Sequence, residues 1–83
     1  MMKITSKREF TCEGRKWRVC NVPKVDQKKP EEKYYVTIRD ENGYYASAYN
    51  TINWEQAPYF KTIKEAQFYV RSNAYVLGIM DWT

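Results

Sequence analysis

Apolar and polar residues alternate along the first half of the chain with the two-residue period of β-strands. Residues 10–12 and 15–22 are strand-like, and the Glu13-Gly14 pair between them predicts a tight hairpin. The second strand carries apolar residues on both parities. That pattern is typical of a strand with one face on a core and the other face partly covered.

The clearest pattern is the hairpin of residues 34–50, for which two registers are open. A two-residue turn would pair Ile38 with Ser47 and put Val36 and Ile38 on one face with Ser47 and Tyr49. A three-residue loop ending at Gly43 instead pairs Ile38 with Ala46 and makes one face uniformly apolar. Because a one-residue slip exchanges the two faces, burial favours the second register. The opposite face then carries Tyr35, Thr37, Arg39, Tyr45, Ser47 and Tyr49.

A C-terminal helix is predicted over residues 63–77. Thr62 is the expected N-cap, Glu65 completes a capping box, and Gly78 is the expected stop. The apolar stripe that would face the sheet consists of Ile63, Ala66, Val70, Ala74 and Leu77. The chain is therefore expected to be one α+β domain, residues 1–83. It would be a meander of three or four antiparallel strands with the helix packed on one face.

Three other segments carry weaker patterns. Residues 23–33 hold two prolines and seven charges, which predicts a mobile charged loop. Residues 59–60 follow Pro58 and are predicted as a short edge strand. The apolar tail, residues 79–83, is expected to pack back on the domain or to form part of an interface.

Charge is distributed unevenly about the net value of +4. Residues 1–30 contain nine Lys or Arg against three acids, whereas residues 31–83 contain five against seven. This asymmetry suggests an N-terminal surface suited to an anionic partner, or a basic face that only keeps the protein soluble. With no signal peptide and no apolar run of roughly 18 residues, we expect a cytoplasmic protein. Its two cysteines, Cys12 and Cys20, are expected to stay reduced.

The sequence lacks the residues that most enzymes and metal sites use. Histidine is absent, so the commonest general base and metal ligand is missing. The three glycines fall at turns or caps, and none belongs to a phosphate-binding loop. We therefore expect a binding protein, with no enzymatic activity, cofactor or metal.

Two surfaces are candidates for binding. The first is the basic strand segment Arg15, Lys16, Trp17 and Arg18, although Trp17 is equally suited to the core. The second is the polar face of the 34–50 hairpin, where Tyr35, Arg39, Tyr45 and Tyr49 form a stacking platform. The far side of the helix, with Phe68, Tyr69 and Tyr75, would pack against the N-terminal arm or a partner.

Two segments resemble the AP2-like DNA-binding domains of mobile-element integrases. They are Trp17-Arg18-Val19 on a strand and the stretch from Tyr59 to Ala66 that opens the helix. The resemblance implies a sheet laid into the major groove of DNA. It nominates Arg15, Trp17, Arg18 and Arg39 as the residues that make the contacts.

Two functions from different classes follow. The first is binding of DNA or RNA through the basic and aromatic sheet surface. The second is suggested by the small, aromatic-rich chain, which is similar in style to phage-encoded proteins such as anti-CRISPR proteins. In that case the protein would bind and block a host defence protein such as a nuclease, toxin or CRISPR effector. Its aromatic anchors would include Trp54 and Trp82. Neither function involves a membrane, and a homodimer stays open.

Overall fold

The computed structural model describes residues 2–4 and 8–78 of the chain. It confirms the α+β class, with one helix packed against an antiparallel sheet. No helix in this part of the chain is long and apolar enough to cross a lipid bilayer. In chain order, the elements are β1 (Met2–Ile4), β2 (Glu9–Cys12), β3 (Arg15–Asn21), β4 (Tyr34–Arg39), β5 (Tyr45–Ser47), β6 (Tyr49–Asn50), α1 (Ile63–Asn73) and β7 (Leu77–Gly78).

Strands β1 to β5 form one antiparallel sheet in which each strand pairs with its neighbour in sequence. Strands β2 to β5 are the predicted meander, and β1 adds a further strand at the edge beside β2. The β2–β3 hairpin turns at Glu13 and Gly14, whose φ angles are 53° and 73°. Two consecutive residues with positive φ are typical of a type I′ turn, whose twist matches that of the flanking strands. The predicted first hairpin is therefore confirmed.

The β4–β5 hairpin has the three-residue loop. Ile38 pairs with Ala46, and the Asp40 amide donates to the Tyr44 carbonyl at 2.7 Å. The Asp40 carboxylate accepts a hydrogen bond from the Tyr44 amide at 2.8 Å, and Gly43 has a φ of 88°. The aspartate and the left-handed glycine together fix the loop length. The register that burial favoured is therefore confirmed.

Helix α1 begins where it is predicted but ends at Asn73. The Thr62 hydroxyl accepts a hydrogen bond from the Glu65 amide at 3.1 Å, as an N-cap residue does. In the last turn, Nδ2 of Asn73 donates to the Tyr69 carbonyl at 2.9 Å. The prediction that the helix continues to residue 77 and stops at Gly78 is wrong.

The segment after the helix is extended because it pairs with a distant strand. Strand β7 pairs with β6 in a second, two-stranded sheet, and Nη1 of Arg15 donates to the Leu77 carbonyl at 3.0 Å. A Cβ on Gly78 would lie 2.6 Å from Cγ2 of Thr51, so the glycine permits a close approach of the two segments. Leu77 is nevertheless buried, as predicted for the apolar stripe.

The connecting segments contain little regular structure. Residues 23–33 hold one short 3₁₀ helix, Lys24–Asp26. The edge strand predicted before the helix is reduced to a single antiparallel bridge between Phe60 and Tyr34. The predicted packing of the tail, residues 79–83, lies outside the described residues.

The hydrophobic core lies between one face of the sheet and α1. Trp17 is completely buried at its centre. Ala48, which directly follows β5, and Ala66 of α1 are also completely buried. Such small side chains let the sheet and the helix approach each other closely. The core consists of Phe10, Cys12, Trp17, Val19, Val36, Ile38, Ala48, Ala57, Phe60, Ala66, Val70, Ala74 and Leu77.

Candidate binding surface on the outer face of the sheet

The side chains that alternate with the core residues form the second face of the sheet, here named the outer face. Successive side chains in a strand point to opposite faces, so the neighbours of Trp17 and Ile38 project away from α1. The outer face includes Glu9, Lys16, Arg18, Tyr35, Thr37, Arg39, Tyr45 and Ser47. Among these eight residues, only Thr37 is buried.

Two cations lie side by side on the outer face. Trp17 pairs with Ile38, so the same register places Lys16 opposite Arg39, and Arg39 pairs in turn with Tyr45. Lys16 and Arg39 are exposed, and neither makes an ion pair within residues 8–78. Like charges directly opposite on neighbouring strands are destabilising. The pair would be stabilised by an anion that contacts both side chains.

A third cation, Arg18, is held by two neighbours. Its Nη2 atom lies 3.2 Å from Oε1 of Glu9 in an ion pair. Its guanidinium carbon lies 4.0 Å from the ring centroid of Tyr45, a cation–π contact. Glu9 belongs to β2 and Tyr45 to β5, so the two contacts of Arg18 connect side chains from both sides of the sheet. Thr37, which lies on β4 beside Arg18, is only 5% exposed.

The Tyr35 end of the outer face is more closed than the Tyr45 end. The ring of Tyr35 packs against that of Tyr59, with centroids 6.4 Å apart. Burial, together with the neighbouring Cys20 thiol, raises the pKa of the Tyr35 phenol. The Cys20 sulfur in turn lies 3.8 Å from the Thr37 hydroxyl. Tyr35 is therefore half-buried in a cluster of neutral groups, whereas the exposed charges are at the other end.

Three residues predicted for the binding site lie elsewhere. Trp17 is buried, and its indole N–H donates to the Cys12 carbonyl at 3.0 Å, so it belongs to the core. Arg15 shares the Trp17 face of β3 and bonds to the Leu77 carbonyl. Tyr49 belongs to β6 in the small second sheet. The structure therefore keeps Lys16, Arg18, Tyr35, Arg39 and Tyr45 on one face, places Arg15 and Trp17 on the other, and assigns Tyr49 to the second sheet.

Other aromatic residues are exposed outside the outer face. Trp54 is 52% exposed in the turn after β6, and its φ angle is 60°. On the helix side, Phe68 and Tyr75 are exposed, while Tyr69 packs against the Phe60 ring at 5.2 Å. The predicted interface residue Trp82 lies outside the described residues.

An open pocket of about 570 Å³ lies at the exposed end of the outer face. Sequence reasoning missed two of its residues, although both had a signal. The Glu13-Gly14 turn places Glu9 opposite Arg18, and the three-residue loop places Tyr44 at the hairpin end, where it is 74% exposed. The pocket is lined by Glu9, Lys16, Arg18, Arg39, Gly43, Tyr44 and Tyr45.

The pocket has the chemistry of an anion-binding surface. Three cations and a single carboxylate line it, together with two tyrosines. Across the residues that the structure describes, no three His, Cys, Asp or Glu side chains gather closely enough to hold a metal ion. Scans against protein-family models, and searches of curated proteins and of solved structures, find no match to this chain. A conclusion about function therefore has to be drawn from the residues and the geometry of the outer face.

Proposed function

We propose that this protein binds nucleic acid, DNA or RNA, through the outer face of its sheet. The observation that carries the proposal is the exposed pair Lys16 and Arg39, which have no carboxylate partner within residues 8–78, beside Tyr45. Phosphate groups would neutralise the pair, since contacts between basic side chains and phosphates supply most of the affinity for nucleic acid. The phenol rings would stack against bases or sugars.

The resemblance to AP2-like modules supports only part of this interface. Arg18 and Arg39 lie on the outer face, where a nucleic acid could contact both. Trp17 is in the core and Arg15 bonds to the Leu77 carbonyl, so the contact set that the resemblance nominates is divided between two faces. We therefore propose a surface of Lys16, Arg18, Tyr35, Arg39 and Tyr45.

A salt series tests the proposal. The affinity for fluorescently labelled DNA and RNA would be measured by anisotropy at ionic strengths from about 50 to 200 mM. Three phosphate contacts predict that affinity for a single strand falls about 20-fold over this range. Binding of neither DNA nor RNA at the lowest salt would contradict nucleic-acid binding.

A matched pair of double variants tests whether the outer face is the interface. Lys16→Gln with Arg39→Gln removes the unpaired cations, and we expect at least about 10-fold weaker binding, since each charged hydrogen bond contributes roughly 1.5–3 kcal/mol. Lys61→Gln with Lys64→Gln removes the same charge from exposed positions at the start of α1. Equal losses in the two double variants would show that net charge, rather than this surface, determines binding.

A second candidate function is that of a phage-type inhibitor that blocks a host defence protein. Trp54 favours it, because its half-exposed ring is held on a backbone whose positive φ costs a non-glycine residue about 1–3 kcal/mol. Such strain is concentrated at functional sites, and exposed tryptophans are frequent interface anchors. In both cases we place the protein in the cytoplasm, which suits its free cysteines Cys12 and Cys20.

The two functions differ in how their complexes respond to salt, nuclease and substitution. A protein complex would survive nuclease treatment and moderate salt, and it would be lost with Trp54→Ala. It would persist in the variant Lys16→Gln with Arg39→Gln. A pull-down from nuclease-treated host lysate that recovers no stoichiometric partner would exclude the inhibitor.

A further inference from the structure

The pocket at the exposed end of the outer face carries two uncompensated positive charges. Three cations line it, and one of them, Arg18, is neutralised by its ion pair with Glu9. The other two, Lys16 and Arg39, have no acidic partner within residues 8–78. A ligand that compensates the pocket fully would therefore bring two negative charges to one place.

The two uncompensated cations are close enough to act on one group. Trp17 pairs with Ile38, so Lys16 and Arg39 lie opposite each other on β3 and β4, and neighbouring strands are about 4.8 Å apart. Both side chains line the same pocket. The Arg39 guanidinium lies against the hairpin loop, where a Cβ on Gly43 would come within 3.2 Å of its Nη2 atom. A single phosphate group that enters the pocket is therefore within reach of a lysine and an arginine side chain.

Nucleic acid contains two kinds of phosphate that differ in charge. Each phosphodiester inside a strand carries one negative charge. A terminal phosphate monoester carries a charge of about −1.5 to −2 near neutral pH and presents three strong acceptor oxygens. The monoester alone brings to one group the charge that Lys16 and Arg39 leave uncompensated.

The border of the pocket towards β2 also favours a strand end. The outer-face neighbours of Lys16 on β2 are Thr11, which pairs with Lys16, and Glu9, whose carboxylate is in the ion pair with Arg18. A phosphodiester backbone that continued onto β2 would meet a hydroxyl and a carboxylate there, and no cation of that strand on this face. A strand end needs an exit on one side only, which is open past Tyr45 on β5, the last strand of the large sheet.

We infer that this pocket binds a terminal phosphate monoester of a nucleic-acid strand through Lys16 and Arg39 together. The inference rests on the proposed function and narrows its ligand to phosphorylated strand ends. A 5′ phosphate and a 3′ phosphate share this chemistry, and the experiment distinguishes them.

Competition titrations against a labelled strand test the inference with four unlabelled strands of one sequence, about 12 nucleotides long. One has hydroxyl groups at both ends, one carries a 5′ phosphate, and one carries a 3′ phosphate. The fourth has hydroxyl ends and one extra nucleotide, which adds the charge of one internal phosphate. A terminal phosphate should tighten binding at least about 10-fold relative to both hydroxyl-ended strands, because its added contacts are charged hydrogen bonds. The end that gives the larger gain identifies the phosphate that the pocket binds.

The double variants test whether the pocket is the source of this preference. Lys16→Gln with Arg39→Gln should bind phosphate-ended and hydroxyl-ended strands with equal affinity. Lys61→Gln with Lys64→Gln removes the same charge from exposed positions at the start of α1 and should keep the preference.

Two results would overturn the terminal-phosphate site while leaving nucleic-acid binding intact. The first is a wild-type protein that binds the phosphate-ended strands no more tightly than the strand with one extra nucleotide. The second is a preference that persists in Lys16→Gln with Arg39→Gln. Failure to bind any of the strands would overturn the proposed function as well.

Discussion

The two faces of the large sheet differ in the burial of their side chains and in how their polar groups are paired. On the core face, Trp17 is completely buried and its indole N–H is bonded to a carbonyl. One residue earlier on the same strand, Lys16 is exposed on the outer face opposite another cation, Arg39. Packing on the core face stabilises the fold without any ligand. The outer face instead places like charges next to each other, which is destabilising. The proposed anionic ligand would relieve this repulsion on the outer face.

The largest expected effect is that of Trp17→Ala on stability. Removing this side chain from the core should lower the free energy of unfolding by about 3–5 kcal/mol, since it leaves a large cavity. Lys16→Ala, at the neighbouring position on the other face, should change it by no more than about 0.5 kcal/mol. Urea unfolding followed by circular dichroism measures both, and similar losses in the two variants would remove the distinction between the faces.

The alkylation rates of the two cysteines test the same difference between the core face and the outer face, and they need no substitution. Cys12 is 2% exposed, and burial raises the pKa of its thiol, so it should stay protonated and protected. Cys20 is half-exposed on the outer face. For a free energy of unfolding of about 5 kcal/mol, alkylation of Cys12 should be slower than that of Cys20 by a factor on the order of 10³.

Mass spectrometry of the native protein treated with iodoacetamide resolves the two sites. Full denaturation should make the two rates comparable, which serves as the control. Fast alkylation of Cys12 in the native state would mean that the core face is not closed.

The smallest expected effect is the coupling between Arg18 and Tyr45. A double-mutant cycle with Arg18→Gln and Tyr45→Leu should give a coupling free energy of about 0.5–1 kcal/mol, because the guanidinium lies over a ring that is only half-buried. The same cycle with Tyr44→Leu should give no coupling, since the Arg18 contact is to Tyr45. Urea unfolding of the four proteins in each cycle measures both values. Equal coupling in the two cycles would contradict the assignment of Tyr45 as the ring that holds Arg18.

Local chemistry explains which parts of the fold could be predicted from the sequence. The Asp40–Gly43 loop and the apolar alternation of Val36 and Ile38 determine the second hairpin, and both signals are contained in neighbouring residues. The end of the helix is different. Residues 74–77 have helical spacing, but Leu77 pairs with Asn50, far away in the chain. A long-range pairing of this kind has no signal in the local pattern.

The candidate site was predictable to a similar extent. Strand alternation correctly grouped Tyr35, Arg39 and Tyr45. It does not decide which parity of β3 is buried, because apolar residues occupy both, and the sequence therefore predicts Trp17 and Lys16 alike as binding residues. Tyr49 pairs with Gly78 in the second sheet, a long-range pairing that the alternation of the hairpin does not predict.

The most direct test of the account measures binding and unfolding on the same sample of the variant Lys16→Gln with Arg39→Gln. Removing two adjacent like charges should leave the urea midpoint unchanged or slightly higher. The affinity for a single strand at low salt should fall by at least about 10-fold. A folded variant that binds the strand as tightly as the wild-type protein would contradict the assignment of the outer face as a nucleic-acid interface.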